Sequence, residues 1–355
     1  MPIRVFRAEN FRCFASIDVE LKPDFNLIYG RNASGKTSFL EALAYLGRGK
    51  SFRGAPPSSV VRYGEKTFTL FGELNDDARK TTLGVQGGMD GYKARSSDEG
   101  DIGVAEAARI LPVQVVDPDV HELVAGSPEV RRRYLDWVAF HVEHQFIDEW
   151  RRFRRALKQR NAALRNPGAI SMLSSFDQEF VRLAERVSQS RHEALETLRP
   201  SLAEHSAVLL GDSVGFAYQQ GWPEGEALGE LLQNSLERDR ATGSTHYGPH
   251  RGDLKLRYDD RQAKRLVSRG QQKLLASAMI LGATETAQQL TERTMLLLLD
   301  DPAAELDRES LSRLMHQSIS LGGQLVVSSL DPGVLDFPSE PAVFHVEHGA
   351  LSSQP

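Results

Sequence analysis

Residues 30–37, Gly-Arg-Asn-Ala-Ser-Gly-Lys-Thr, constrain the fold of this chain more than any other segment. They match the phosphate-loop pattern G-x-x-x-x-G-K-[ST] at every fixed position. The apolar run of residues 25–29 precedes them, and residues 37–46 carry apolar side chains at helical spacing. A strand, a glycine-rich turn and a helix in this order predict an α/β fold in which the helix N-terminus faces an anion.

The chemistry of the loop explains its residue types. The two glycines let backbone N–H groups approach phosphate oxygens without interference from a Cβ atom. Lys36 is predicted to be both a binding and a catalytic residue, since it places a positive charge on the β- and γ-phosphates, and the Thr37 hydroxyl suits a Mg²⁺ ion. The predicted nucleotide-binding residues here are Gly30, Arg31, Asn32, Ala33, Ser34, Gly35, Lys36, Thr37 and Ser38.

A second motif lies far downstream, where residues 295–299 form a continuous apolar run that Asp300 and Asp301 follow. Such a run is typical of a buried parallel strand, and ligands of α/β sheets bind at the carboxyl ends of the strands. We expect Asp300 to be a metal residue that holds Mg²⁺ through water. Asp301 is predicted to be catalytic, because its carboxylate can polarise an attacking water.

Composition limits the class of protein. The chain has 355 residues with 43 Lys and Arg against 48 Asp and Glu, and the net charge of −5 argues against binding nucleic acid through bulk charge. The single cysteine, Cys13, cannot form an internal disulfide, which favours the cytoplasm. No apolar run approaches the ~20 residues of a membrane span, and the N-terminus lacks the apolar core of a signal peptide, so we expect no membrane association.

Changes in composition along the chain predict three segments. Residues 1–125 are expected to form the N-terminal part of the α/β domain with the phosphate loop. Residues 126–241 are rich in Arg, Glu, Ala and Leu and predict a helical insertion domain. Residues 242–355 return to alternating strands and helices and complete the α/β domain, so the insertion interrupts one domain in sequence.

Residues 268–271, Ser-Arg-Gly-Gln, open a helix shortly before the Asp-Asp strand. Taken alone this is an ordinary helix cap, but its place resembles the signature of ABC-type ATPases. In that superfamily the serine, the glycine backbone and the helix dipole bind the γ-phosphate of ATP held by a second subunit. The resemblance assigns Ser268, Gly270 and Gln271 to ATP binding between two copies of this chain.

Two more positions resemble parts of the same superfamily. Asp307, within residues 304–307, matches the acid of the loop that contacts the other subunit. Gln114 occupies the place of the glutamine that links Mg²⁺ to the inserted domain, and the resemblance therefore assigns it a metal and a catalytic role.

Several further motifs have no role in a generic ATPase, and together they resemble the RecF family of bacterial recombination and gap-repair ATPases. The motifs are the phosphate loop and residues 10–12, 49–53, 126–136, 158–161, 248–251, 299–301 and 304–307. The family looks like the ATPase heads of SMC proteins without the long coiled coil. The resemblance covers essentially the whole chain.

The resemblance implies a function as well as a fold. It implies a weak, DNA-stimulated ATPase that uses ATP and Mg²⁺ and dimerises on ATP. It also implies binding to double-stranded DNA and to duplex–single-strand junctions in the cytoplasm, at the nucleoid. With RecR and RecO, such a protein helps load RecA onto single strands.

The alternatives are the ATPase subunit of a transporter or of a nuclease-associated complex. A transporter subunit would carry a second glycine at Arg269, a glutamate at Asp301 and a histidine near Ser328. The chain that follows Asp307 is too short for an additional nuclease domain.

A basic stripe at the start of the insertion predicts contacts to a DNA backbone. The candidates are Arg131, Arg132, Arg151, Arg155 and Lys158. A solvated helix face with nearby acidic partners explains the same residues equally well, and the sequence leaves both explanations open.

Overall fold

The computed structural model describes residues 2–75, 80–89, 91–166, 168, 173–258, 261–263, 267–304 and 306–354. The chain divides into two compact units. The first comprises the segments up to Val120 and from Lys273 onward, and the second is His121–Gln272. Glu305, part of the motif at residues 304–307, lies outside the described residues.

The N-terminal segment of the first unit alternates strands and helices. In chain order it contains β1 (Ile3–Phe11), β2 (Phe14–Glu20), β3 (Phe25–Tyr29), α1 (Lys36–Arg48), α2 (Pro57–Val60), β4 (Thr67–Asn75), β5 (Lys80–Gly88), β6 (Lys93–Ser96), β7 (Gly100–Ile102), α3 (Val104–Ile110) and β8 (Val113–Val116).

The second unit is mainly helical and includes a small sheet. Its elements are α4 (Glu122–Ala125), α5 (Pro128–Val142), α6 (Phe146–Arg165), α7 (Leu173–Leu210), β9 (Gly215–Gln219), α8 (Leu228–Asn234), α9 (Leu236–Thr242), β10 (Asp253–Tyr258) and β11 (Arg261–Gln262). Strand β10 is central and pairs antiparallel with β9 and β11.

The C-terminal segment completes the first unit. Helix α10 (Arg269–Thr291) begins just before Lys273, and β12 (Leu296–Leu299), α11 (Arg308–Ser320), β13 (Gln324–Ser329), β14 (Ala342–Glu347) and β15 (Ala350–Gln354) follow. None of the helices in the described ranges is long and apolar enough to cross a membrane.

The pairing of β9 with β10 explains where the second unit ends. The expected boundary between residues 241 and 242 falls between these two strands, which share a backbone ladder from Asp253↔Gln219 to Arg257↔Gly215. The backbone N–H and C=O groups of one strand are satisfied by the other, so the two strands stay in one unit. The structure accordingly places the boundary at Lys273.

Two six-stranded sheets build the first unit. One is antiparallel with the strand order β2-β1-β4-β5-β6-β7. The other has the order β15-β14-β3-β13-β12-β8, and its five strands from β14 to β8 are parallel. The strand before the phosphate loop and the strand before the Asp-Asp pair therefore run in the same direction, with only β13 between them.

Helix α1 lies in the core between the two sheets. Phe39 packs edge-on against Phe6 of the antiparallel sheet, with ring centroids 5.7 Å apart, and the helix also contacts β8 and β13 of the parallel sheet. At Gly47 an added Cβ would lie 2.3 Å from the Leu111 carbonyl oxygen, so glycine permits the close approach. A helix buried on all sides holds its first turn, which carries Lys36, in a fixed place.

In the second unit, arginines of the helices bind the segment around residues 249–253. Arg131, only 10 % exposed, forms an ion pair with Asp253 at 2.8 Å, and Arg132 donates to the Gly252 carbonyl at 2.7 Å. Arg191 donates to the Pro249 carbonyl at 2.6 Å. The structure corrects the expectation for Arg131, whose buried guanidinium group is bound within the unit, whereas Arg132 is partly exposed and its contact with DNA stays a prediction.

His250 of this segment is held in its neutral form. Its ring packs beside Phe153 and Phe180, and Nε2 donates to the Thr245 carbonyl at 2.9 Å. Nδ1 is buried with no hydrogen-bond partner among the described residues. Burial therefore lowers the pKa of His250 to about 4, and the nearby charge of Arg251 acts in the same direction.

This depressed pKa predicts a loss of stability in mild acid. Above pH 6.5 both states are neutral at this site; as the pH falls from 6.5 towards 4, only the unfolded chain takes up the proton. Urea unfolding should be measured between pH 7.5 and pH 4. The loss of stability should contain a contribution that His250→Gln removes, and this contribution should approach roughly 3 kcal/mol near pH 4. The exposed His192 on α7 provides the control: if His192→Gln flattens the pH dependence as much, burial of His250 is not the cause.

Candidate nucleotide and metal site

The phosphate loop connects β3 to α1 and depends on its glycines. Gly30 and Gly35 have φ values of +153° and +122°, which side chains disfavour. An added Cβ would lie 2.3 Å from the Val346 carbonyl oxygen at Gly30 and 2.9 Å from Cys13 Sγ at Gly35. The loop is thus packed between the turn after β1 and strand β14, and only glycine fits at both ends.

Lys36 begins α1 and folds back over the loop. Its Nζ donates to the carbonyl oxygens of Gly30 at 2.7 Å and Arg31 at 3.1 Å, and it is 7 % exposed. Burial lowers the pKa of Lys36, while the charges of Asp301 and Asp300 act in the opposite direction. The ammonium group therefore lies at the helix N-terminus, where an anionic ligand gains most from its charge. The tip residues Arg31, Asn32 and Ala33 are exposed.

The carboxyl end of β12 brings Asp300 to the phosphate loop. Asp300 Oδ1 accepts a hydrogen bond from Thr37 Oγ1 at 3.0 Å, although 263 positions separate the two residues. The same oxygen accepts from Ser328 Oγ at 2.7 Å. Two of the three predicted Mg²⁺ residues, Thr37 and Asp300, are therefore in direct contact.

Ser328 is a site residue that the sequence interpretation overlooked. Its hydroxyl donates to Asp300 and accepts from the Asp301 N–H at 2.9 Å, so it fixes both acids. In the sequence, Ser328 stood out only as a position near which a transporter subunit would carry a histidine. Its place at the end of the apolar strand β13, beside β12, is the signal that could have identified it.

The donor set suits Mg²⁺. The described residues contain no group of three or more His, Cys, Asp or Glu that could enclose a metal ion. Mg²⁺ characteristically takes one or two protein oxygens and completes its coordination with waters and substrate phosphates. A threonine hydroxyl and a carboxylate 3.0 Å apart at the phosphate loop match this requirement.

Asp301 is suited to accept a proton. Burial raises the pKa of its carboxyl group; Lys36 lowers it, and Asp300 raises it further. Its backbone φ is +47°, an uncommon value outside glycine. A carboxylate with an elevated pKa is a stronger base than one exposed to water.

The structure corrects the expectation for Gln114. This residue lies within β8 opposite Leu297, three positions before Asp300. Its Oε1 accepts from Arg48 at 2.8 Å, and Arg48 is the last residue of α1, whereas Lys36 is the first. The Gln114 side chain is therefore hydrogen-bonded at the end of α1 opposite to the phosphate loop, and the structure does not place it at the metal site. The residue that follows β8, Asp117, lines a small cavity together with Asp300 and Asp301.

Ser268, Gly270 and Gln271 lie at an exposed helix start. Ser268 N–H donates to Gln271 Oε1 at 2.9 Å, and Gln271 N–H donates to Ser268 Oγ at 3.3 Å, which is a capping box at the start of α10. Asp307 caps α11 in a similar way, accepting from the N–H and hydroxyl of Ser310. These hydrogen bonds lower the pKa of Asp307. The roles of all four residues across a dimer remain predictions.

Glu41 connects two of the motifs for which the sequence offered no mechanism. It is fully buried on α1 and accepts from Arg12 at 2.7 and 2.8 Å. Ser51 donates its hydroxyl proton to the same carboxylate, and the backbone N–H of Arg53 donates to Ser51 Oγ. The motifs at residues 10–12 and 49–53 are therefore anchored on the helix that begins at Lys36.

The basic residues of α6 are available to solvent. Arg151, Arg155 and Lys158 are exposed and spaced to share one helix face. Arg151 lies 3.5 Å from Asp148. The structure thus brings three of the five predicted DNA-contacting residues to one surface of the second unit.

The sequence of this chain is similar to one family of known proteins. The model of the RecF/RecN/SMC N terminal domain matches residues 2–350. The DNA replication and repair protein RecF of Cellvibrio japonicus is 37 % identical over 364 residues, covering 99 % of both chains. That of Yersinia pseudotuberculosis is 37 % identical over 351 residues, covering 98 % of this chain and 97 % of the relative.

Solved structures agree on the fold. A structure described as the recombination mediator protein RecF with ATP has a TM-score of 0.89 at 23 % identity, covering 100 % of this chain and 98 % of that one. The Smc head of Pyrococcus furiosus has a TM-score of 0.58 at 14 % identity, covering 99 % and 96 %. The predicted α/β head of the SMC and ABC type is confirmed, and the chain belongs to the RecF family.

Proposed function

We propose that this protein is an ATP-dependent DNA-binding protein that acts in recombinational gap repair and replication. In this proposal it hydrolyses ATP slowly, and DNA stimulates the hydrolysis. The observation that carries the proposal is the contact of Thr37 with Asp300 beside Lys36. It joins the two halves of a nucleotide site that the sequence separates. Membership of a family whose relatives are named for DNA replication and repair supports the choice of DNA as the target.

The residues divide the chemistry of ATP hydrolysis between them. The loop amides and Lys36 bind the phosphates and stabilise charge on the γ-phosphate. Mg²⁺, held by Thr37 and Asp300, supplies charge neutralisation on the phosphate oxygens. Asp301 accepts the proton of a water whose oxygen attacks the γ-phosphorus, and the bond to the bridging oxygen breaks to release ADP. The short stem of an aspartate at this position is consistent with slow turnover.

Dimerisation follows from the exposed signature. In the proposal, Ser268, Gly270 and Gln271 of one copy contact the γ-phosphate bound by the other, with Asp307 at the interface. ATP then joins two heads, and hydrolysis separates them. The exposure of the capped helix start supports this arrangement, because the N-terminus of a helix is a favourable anion site.

In this proposal the protein binds DNA duplexes and duplex–single-strand junctions. The net charge of −5 requires a local basic surface, and Arg151, Arg155 and Lys158 on α6 supply one. We further propose action in the cytoplasm at the nucleoid, together with RecR and RecO, to promote RecA loading. The transporter and nuclease-associated alternatives gain no support from a specific observation.

Sedimentation with and without ATP and Mg²⁺ tests the central mechanism. The protein should be a monomer alone and a dimer with ATP. Lys36→Met should lose ATP binding. Ser268→Arg should bind ATP with little change and stay monomeric, because Ser268 contacts the ATP that the other copy holds and not the ATP of its own phosphate loop. A dimer that forms without nucleotide would contradict the sandwich arrangement.

Asp301→Asn separates binding from hydrolysis. The amide preserves the shape of the side chain but cannot accept the proton, so phosphate release should fall by at least roughly 100-fold. ATP-driven dimerisation should persist. Hydrolysis at the wild-type rate would remove Asp301 from the mechanism.

Charge reversal on α6 tests the DNA surface. Arg151→Glu with Arg155→Glu should weaken binding to duplex DNA and reduce the salt dependence of the affinity, because phosphate contacts release counterions. Lys93→Glu with Arg95→Glu, on an exposed face of β6, makes the same charge change elsewhere and is the control. Equal effects of the two pairs would indicate a general charge effect and rule out this surface.

A further inference from the structure

Asp117 lies beside the Asp-Asp pair, although neither the phosphate-loop nor the Asp-Asp motif includes it. Strand β8 pairs in parallel with β12 so that Val116 lies opposite Leu299. The Asp300 N–H donates to the Val116 carbonyl at 2.9 Å, and this bond fixes the register at the strand ends. The residues that follow the two strands, Asp117 and Asp300, therefore emerge side by side at the same edge of the sheet.

Asp300 has a different neighbour on each side. Towards β13 its Oδ1 is engaged by Thr37 and Ser328. Towards β8 it borders a small cavity of about 30 Å³, which Asp117 and Asp301 also line. A cavity of this size is large enough to hold a water when polar groups surround it.

A buried lysine also lines this cavity. Lys273 and Ser277 are one turn apart on α10 and both line it, and they are 6 % and 2 % exposed. Apolar residues make up the rest of the wall, so the three carboxylates are the charged acceptors that it offers to a hydrogen-bond-donating occupant.

The local backbone orients Asp117. The N–H of Asp119 donates to the Asp117 carboxylate. Burial, together with the charges of Asp119 and Asp300, raises the pKa of Asp117 to about 6, and the charge of Arg48 acts in the opposite direction. Asp119 itself is exposed and does not line the cavity. Asp117 and Asp119 are thus close in sequence, but Asp117 faces the cavity and Asp119 faces solvent.

We propose that Asp117 is a positioning residue for the metal, whose carboxylate accepts hydrogen bonds from the hydration shell of the Mg²⁺ ion held by Thr37 and Asp300. This inference rests on the proposed function. Mg²⁺ retains several of its waters in protein sites, and groups that bind the outer waters orient the ion and increase its affinity. Asp117 thereby fills the place that the sequence had suggested for Gln114.

The test is a Mg²⁺ titration with a non-hydrolysable ATP analogue, read as dimer formation by sedimentation. Asp117→Asn keeps the shape and removes the charge, and it should raise the half-saturating Mg²⁺ concentration about tenfold. Asp119→Asn makes the same charge change two positions away and should leave it within about twofold. Asp117→Glu restores the charge and should recover part of the loss.

A second measurement separates positioning from folding. Binding of the analogue in EDTA involves no metal, so it should be the same for the wild type and Asp117→Asn. Loss of this binding, or equal Mg²⁺ shifts for the Asp117 and Asp119 variants, would overturn the inference. If the wild type itself neither binds the analogue nor responds to Mg²⁺, the proposed function fails and this inference fails with it.

Discussion

The contact between Thr37 and Asp300 is the constraint on which the rest of this structure depends. The two residues approach only if β3 and β12 are parallel strands of one sheet, with β13 between them. That arrangement needs a long crossover after β3, and strands β4 to β7 of the antiparallel sheet, β8 and the whole second unit occur within it. The metal site is thus the point at which the start and the end of the first unit meet.

Helix α1 transmits this constraint through the first unit. Its buried faces pack on both sheets, and its first turn supplies Lys36 and Thr37. Glu41, one turn later, binds Arg12 and Ser51. A single buried helix therefore fixes the phosphate loop, the turn after β1 and the loop that follows α1. Because the interior is closely packed, these three segments cannot shift independently.

The arginines of the second unit show how composition can mislead. Arg131 and Arg132 were candidates for contacts with DNA, and Arg160 lies in the motif at residues 158–161. Arg160 is fully buried, with Asp177 at 2.6 Å and Asp239 at 2.7 Å. Such a pair loses its hydration on burial and is tolerated only because each charge has a close partner. Their positions in the sequence did not distinguish buried arginines from exposed ones, and only the burial of each side chain in the structure does so.

The sequence by itself determined the phosphate loop, the Asp-Asp strand, the α/β class and the interruption of the first unit. These features are local, because glycines at fixed motif positions, a continuous apolar run and helical spacing are each recognised within a few residues. Only the tertiary structure decided that Ser328 joins Asp300 to Asp301, that Gln114 is bound to Arg48, and that Asp117 lies beside the metal site. Each of these depends on strand register and on side chains from distant segments, and the spacing of residues along the chain carries no information about which strand ends will be neighbours.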